Sequence, residues 1–242
     1  MLITAKTDAG KVRKTNQDAY FTGKLNENVV LAVVCDGMGG ANAGNIASET
    51  AAKLIADYVG KSYRNGMSDD DLEKLLKSAV VSANIEIYDM SLKNSEYFGM
   101  GTTAVAAVIS DSSAVICHVG DSRAYLVNDH LITQLTRDHS VVQTLVESGK
   151  LTPEEAKVHP RKNVITRALG AEEDVVPDCV TEQLLNGDTV MICTDGLSNF
   201  VEASKMLDIF RNNDISRVAE ALIMRANANG GGDNITVVTV TV

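Results

Sequence analysis

An apolar run that ends on a carboxylate is the feature that most narrows what this chain can become. In VVLAVVCDGMGGANAG, Val29 to Cys35 carry no formal charge and read as a buried strand, and they lead straight into Asp36 and a glycine-rich turn. A carboxylate at the end of a buried strand is costly unless water, a hydrogen-bond donor or a cation meets it. The arrangement recurs. DTVMICTDGLSN leads an apolar strand into Asp195, GGGDNITVVTVTV sets Asp233 just ahead of one, and RKTNQDAYF sets Asp18 at the start of another. Taken singly, Asp-Gly after a strand is a hairpin signal, and Gly230–Gly232 a flexible loop. Repetition weakens those readings, since a hairpin turn has no need of a buried strand abutting its carboxylate each time. Strands that alternately enter and leave an antiparallel sheet would bring these aspartates to one rim.

Periodicity supplies the rest of the framework. Strand-like runs cover Leu2–Lys6, Ala19–Thr22, Val29–Cys35, Thr102–Ile109, Ala114–Val119, Ala124–Val127, Leu131–Gln134, Thr189–Thr194 and Ile235–Val242, with Asn128-Asp129 as a hairpin turn. Helical spacing predicts a helix over Asp69–Met90, with Leu72, Leu75, Leu76, Ala79, Ala83 and Ile87 on one face and Ser68 as N-cap. Further helices are expected over Ala43–Val59, with Ile46, Thr50, Leu54 and Tyr58 inward, over Ser216–Asn227, with Val218, Leu222 and Ala226 inward, and over Glu202–Arg211. Thr152-Pro153-Glu154-Glu155 has the form of a capping box with proline at the first helical position. Strands and helices come in blocks rather than in strict alternation. An α+β fold with largely antiparallel sheet is therefore expected. No Pro- or Ser-rich linker interrupts the chain, so its 242 residues read as one domain, 1–242.

Composition excludes several classes. A formal net charge of -10 argues against a nucleic-acid partner, which would need a basic face. No apolar run approaches the roughly 20 residues that span a bilayer, and the N-terminus lacks the pattern of a secretory signal. A cytoplasmic location is expected, with Cys35, Cys117, Cys179 and Cys193 as small reduced residues, mostly in the core. Of the histidines, His118 is expected as a satisfied core residue, His130 exposed, and His139 and His159 structural.

Aspartates converging on one rim would repel one another unless cations neutralised them. The donors are all oxygens, Asp18, Asp36, Asp195 and Asp233 with the Gly37 carbonyl at hand, and no His or Cys pair has zinc spacing. Such a set suits Mg²⁺ or Mn²⁺. Two such ions sharing a carboxylate and a water would generate a hydroxide able to attack phosphorus.

With these residues in view, the chain resembles the protein phosphatase 2C-like (PPM) family of metal-dependent serine/threonine phosphatases in its compact bacterial form. The segments that carry the resemblance are RKTNQDA (Arg13–Ala19), DGMGG (Asp36–Gly40), GTT (Gly101–Thr103), GDSRAY (Gly120–Tyr125), LTRDHS (Leu135–Ser140), HPRKNVITRALG (His159–Gly170), CTDGLSN (Cys193–Asn199) and GGGDNIT (Gly230–Thr236), in the family's order and across almost the whole chain. The resemblance implies a sandwich of two antiparallel sheets flanked by antiparallel helix pairs. It implies that Asp36 bridges two divalent cations, that Gly37 and, through water, Asp18 complete one site, and that Asp195 and Asp233 hold the other. Asp121 with Asp195 matches a third, weaker site. Arg13 matches the arginine that grips the substrate phosphate, Arg123 a structural arginine, and residues 141–170 a flap beside the active site.

The implied activity is hydrolysis of phosphoserine and phosphothreonine in proteins by a metal-bridging hydroxide, opposing a cognate Ser/Thr kinase; the absence of an extra helix or heptad tract makes a monomer the expectation. Many relatives carry a histidine within or just after the DGxGG turn, where this chain has Met38 and Ala41. The resemblance therefore names no general acid here. A catalytically weak, phosphoprotein-binding relative is the competing reading, and a two-metal nuclease a second. The first would be marked by loss of a metal aspartate or of Arg13, the second by a basic groove, and the sequence has neither mark.

Overall fold

The structure, a computed structural model, describes residues 1–39 and 43–242. Gly40 and Ala41, on which two of the sequence expectations fall, lie outside the described residues. One sheet is built from β1 (Leu2–Asp8), β11 (Ile235–Thr241), β10 (Thr189–Cys193), β7 (Arg123–Val127) and β8 (Ile132–Gln134), in that order. The other runs β2 (Asp18–Asn26), β3 (Val29–Met38), β5 (Ala104–Ser110), β6 (Ser113–Val119) and β9 (Asp178–Gln183), with the short β4 (Gly101–Thr102) beside the end of β3. Every pairing is antiparallel. Helices α1 (Gly44–Ser62) and α2 (Asp69–Lys93) cover the outer face of the second sheet, and α6 (Ala203–Asn212) and α7 (Val218–Ala228) that of the first. The two-sheet sandwich with flanking helix pairs is the architecture expected.

The uncharged run of β3 is explained by its position. Val30, Ala32 and Val34 face the other sheet, where Ile192, Val238 and Val240 meet them, while Leu31, Val33 and Cys35 face α1 and α2. A strand covered on both faces has no place for a charge until it leaves the sandwich, and Asp36 stands at that point. Helix α2 begins at its expected cap, with Ser68 accepting from the Asp71 N–H at 3.2 Å. It buries Leu76 and Ile87 completely, each contributing about 1.5–3 kcal/mol through removal from water. The capping box opens α4 (Pro153–Val158), where Thr152 and Glu155 exchange hydrogen bonds.

The structure corrects several expectations. Helix α1 turns Ala47, Ala51, Ile55 and Val59 inward, whereas Ile46, Thr50 and Leu54 are half-buried and Tyr58 is exposed. Small alanines let the helix sit close to β3, and this outweighs the larger side chains of the neighbouring stripe. Thr102–Ile109 is two strands, because the backbone and hydroxyl of Thr103 turn aside to bond Asp36. Strand β9 and helix α3 (Val141–Glu147) lack a clean periodicity and were not anticipated; β9 is an edge strand of mixed polarity. Cys117 and Cys179, expected as reduced thiols, face each other across β6 and β9 and are disulfide-bonded, while Cys35 and Cys193 are free and buried. His118 is buried as expected but not satisfied, since its Nδ1 has no hydrogen-bond partner. Among the described residues no helix is long and apolar enough to cross a membrane.

Candidate metal and phosphate site

The ends of the strands bring the aspartates together. Asp18 opens β2 and lies directly opposite Asp36 near the end of β3. Asp195 follows β10 and starts α5 (Asp195–Ser198), Asp233 precedes β11, and Asp121 lies in the loop joining β6 to β7. Each of these aspartates is half-buried.

Asp36 is fixed through its backbone. Its N–H donates to the Thr103 hydroxyl at 2.9 Å, and its carbonyl accepts from the Thr103 N–H and the Thr102 hydroxyl, both at 2.9 Å. The Thr103 hydroxyl also contacts Ser122 Oγ at 2.7 Å, tying this strand end to the loop of Asp121. The carboxylate of Asp36 itself is left facing the other acids.

The glycines after Asp36 and Asp195 explain the Asp-Gly pairs. Neither glycine has positive φ, so neither is a hairpin position. A side chain on Gly37 would run into the carbonyls of Gly44 and Gln17, and one on Gly196 into that of Asn234. The glycines permit close approach of backbones at the rim.

Electrostatics shows what the cluster lacks. Burial, followed by the charges of Asp18, Asp195, Asp121 and Asp233, drives the Asp36 carboxyl well above the ordinary carboxylate range. Burial raises Asp18 to about 7 against the hydroxyl donors Thr236, at 2.7 Å, and Thr194, at 2.9 Å, which both bond Oδ2. Its Oδ1 is buried with no partner. Burial and neighbouring acids bring Asp121 to about 7 and Asp195 to about 6. Two arginines act on the cluster: Arg13, whose Nη2 donates to Asp233 Oδ2 at 2.8 Å and whose guanidinium also feels Asp36 and Asp195, and Arg123, which acts on Asp121 and Asp195 from its ion pair with Asp138.

Clustered carboxylates and an orphaned oxygen on Asp18 fit hard divalent cations. Among the described residues no three of these aspartates bring their oxygens within 4.8 Å of one another. The spread suits ions that retain several waters rather than an all-protein cage. The one group of candidate ligand atoms inside that limit is His118, His139 and Asp178. Hydrogen bonds account for His139 and Asp178, and His118 stacks on His139 with ring centroids 4.7 Å apart. His139 Nδ1 accepts from the Gly120 N–H at 3.1 Å, so Nε2 carries the proton and donates to Asp178 Oδ2 at 3.1 Å.

The Protein phosphatase 2C family model matches residues 10–227. The chain belongs to the protein phosphatase 2C family. It is 39% identical over 236 residues to the serine/threonine phosphatase Stp of Listeria monocytogenes, across 97% of this chain and 93% of that one. Its fold matches the crystal structure of serine/threonine phosphatase Stp1 from Staphylococcus aureus with a TM-score of 0.93 and 34% identity, covering 99% of this chain and 94% of that one. The catalytic domain of the phosphatase PstP, solved in complex with two manganese ions, matches with a TM-score of 0.86 at 34% identity, covering 98% and 96%.

Within this phosphatase 2C fold, Arg123 is structural as expected, held by Asp138 through Nε at 2.9 Å and Nη2 at 2.7 Å and by the Tyr125 hydroxyl. Arg167 is taken up by Asp178 Oδ1 at 2.9 Å and the Val176 carbonyl. Sequence reasoning missed the residues that hold the acids in place. Asn234 accepts from the Gln17 N–H and donates to the carbonyls of Ala9 and Thr15, pegging the loop that carries Arg13 beside Asp233. Thr194 and Thr236 do the same for Asp18. The available signal was a polar residue next to each aspartate, Thr194 before Asp195 and Asn234 after Asp233.

Proposed function

We propose that the protein is a Mn²⁺- or Mg²⁺-dependent serine/threonine protein phosphatase that hydrolyses phosphoserine and phosphothreonine monoesters in proteins. The observation that carries this reading is the convergence of Asp18, Asp36, Asp121 and Asp195, whose carboxyl pKa values are raised, with Asp233, which accepts a hydrogen bond from the guanidinium of Arg13. Asp36 and the Gly37 carbonyl, with Asp18, would hold one ion, Asp36 with Asp195 and Asp233 the other, and Asp121 with Asp195 a third and weaker one. When bound, the ions supply a water acidic enough to ionise near neutral pH and positive charge for the phosphoryl oxygens.

The remaining work falls to residues of the chain. Thr102 and Thr103 fix the Asp36 backbone, and Thr194 and Thr236 orient Asp18 toward the cluster. Arg13 is placed at the rim to bind two phosphate oxygens with its planar fork. In the net reaction a new bond forms from the oxygen of water to phosphorus, and the bond from phosphorus to the serine or threonine oxygen breaks. The departing oxygen takes a proton. In the net balance this proton derives from the attacking water, while His139 is held by the Gly120 N–H and Asp178. The reading extends to one catalytic domain over residues 1–242, a flap over 141–170, and a cytoplasmic monomer opposing a Ser/Thr kinase.

The test is phosphate release from a phosphothreonine peptide with Mn²⁺ and with a chelator, for wild type and Asp195→Asn. Metal-dependent release that disappears in the variant is the expected result. No release from folded, Mn²⁺-loaded protein would favour a phosphoprotein-binding module. Arg13→Lys keeps the charge but loses the fork, and is expected to lower kcat/KM by about 10- to 100-fold, the scale of a charge-assisted hydrogen bond. Unchanged kinetics on phosphopeptides would remove Arg13 from the phosphate site.

A further inference from the structure

Beside the carboxylates lies a cavity of about 470 Å³ that the chemistry does not require. One wall is Met38, two residues beyond Asp36 on β3 and 38% exposed. The other is the segment 165–176, presenting Ile165, Ala168, Val175 and Val176. Val176 is 71% exposed and, with Met38 at 38% exposed, gives the cavity an accessible apolar surface.

The groove is preformed. Leu169 and Thr102 exchange backbone hydrogen bonds, at 2.8 and 3.1 Å, so the segment is laced to the strand that supports Asp36. From beneath, the buried Asn84 of α2 accepts from the Gly170 N–H at 2.8 Å and donates to the carbonyls of Glu172 and Glu173. Three hydrogen bonds from one buried amide hold the far wall in a fixed shape.

Its charge is one-sided. Glu172 and Asp174 line the rim, and neither has an ion-pair partner among the described residues. The cation in the lining, Arg167, is already paired with Asp178. A ligand entering here meets apolar side chains and unneutralised acids, with Met38, two residues from Asp36 on β3, on one side.

We propose that this groove binds the polypeptide flanking the phosphorylated residue and selects substrates with an arginine or lysine, together with an apolar residue, next to the phosphoserine or phosphothreonine. The proposal rests on the phosphatase reading and names its substrate class. Continuity with the catalytic rim through Met38 argues for a substrate segment as the occupant, and the rim acids argue for its positive charge.

The test compares Mn²⁺-loaded wild type with Glu172→Lys/Asp174→Lys on phosphothreonine peptides flanked by arginine, alanine or glutamate, with p-nitrophenyl phosphate as a substrate too small to reach the groove. A charge-matched control, Asp70→Lys/Asp208→Lys, places the same reversal on exposed positions of α2 and α6. In wild type, kcat/KM is expected to favour arginine over glutamate by roughly tenfold, mainly through KM, the scale of two partly screened charges. The ratio should fall to about one or invert in the groove variant, persist in the control, and leave p-nitrophenyl phosphate hydrolysis unchanged. Val176→Ser should weaken a phosphothreonine peptide with a leucine flank and leave the arginine-to-glutamate ratio unchanged. Equal ratios in wild type and groove variant, or an equal loss in the control, would overturn the proposal. Failure of every substrate, p-nitrophenyl phosphate included, would count first against the phosphatase reading and with it against the groove.

Discussion

Asp36→Asn is expected to reduce metal-dependent phosphate release by about a thousandfold or more while making the metal-free protein more stable. Asp36 is the acid on which the charges of Asp18, Asp121, Asp195 and Asp233 all act, and it is the proposed ligand shared by two cations. An amide cannot bridge two cations as a carboxylate does, and loss of a bridging ligand removes several kcal/mol of charge stabilisation from the reaction. The same substitution removes one negative charge from a crowded recess and leaves the backbone bonds to Thr102 and Thr103 in place. Opposite signs for activity and chelated stability separate a ligand from a residue that merely supports the fold. Asp121→Asn, at the proposed weaker site, should cost less than about tenfold. Phosphate release and thermal unfolding in chelator check both variants; full activity in Asp36→Asn would refute the bridging role.

Chelation should also reverse the pH dependence of stability. Asp18, Asp121 and Asp195 have folded values of about 7, 7 and 6 against 3.8 for an ordinary aspartate. The folded metal-free chain therefore binds more protons than the unfolded chain between pH 4 and pH 7. Stability must then fall as pH rises through this window, and the part owed to these three acids is fully lost above about pH 7, with Asp36 acting in the same direction. Because the acids are coupled, their shifts do not add, and the total is of the order of several kcal/mol, or roughly 10 °C in unfolding temperature. Burial lowers His118 to about 4 and also lowers His139, and these rings act in the other direction, adding stability as pH rises toward 6.5. They do so with and without metal. The difference between Mn²⁺-loaded and chelated unfolding curves thus isolates the carboxylates, and it should widen from pH 5 to pH 8. A constant difference would mean that the ions bind elsewhere.

What could be read from the sequence was whatever a short window contains. The stripe of α2, the capping box of α4 and the charge-free run of β3 each declare themselves within one element, and the structure keeps them. The aspartates were visible because each interrupts an apolar run. Their partners were not, since the link from Asn234 to Gln17 and from Thr236 to Asp18 spans most of the chain and leaves no local pattern. The inward face of α1 was misjudged for a related reason. A preference for large side chains predicts Ile46 and Leu54 inward, but the space above β3 admits alanines. The disulfide of Cys117 and Cys179 depends on an edge strand whose alternation is too weak to register the pairing in advance.

Strand β11 lies between β1 and β10, and it pairs with β1 from Leu2↔Thr241 to Asp8↔Ile235. During synthesis β1 therefore waits for residues 235–241 before it can pair. Until residues 235–241 emerge, β1 and β10 are open sheet edges, the kind of surface that invites pairing with another chain. Over the same interval Asp233 and the Asn234 peg are missing, so Arg13 has no fixed position and the acidic rim is incomplete. Arg13 and the acidic rim are thus completed together, in the step that seats β11 between β1 and β10.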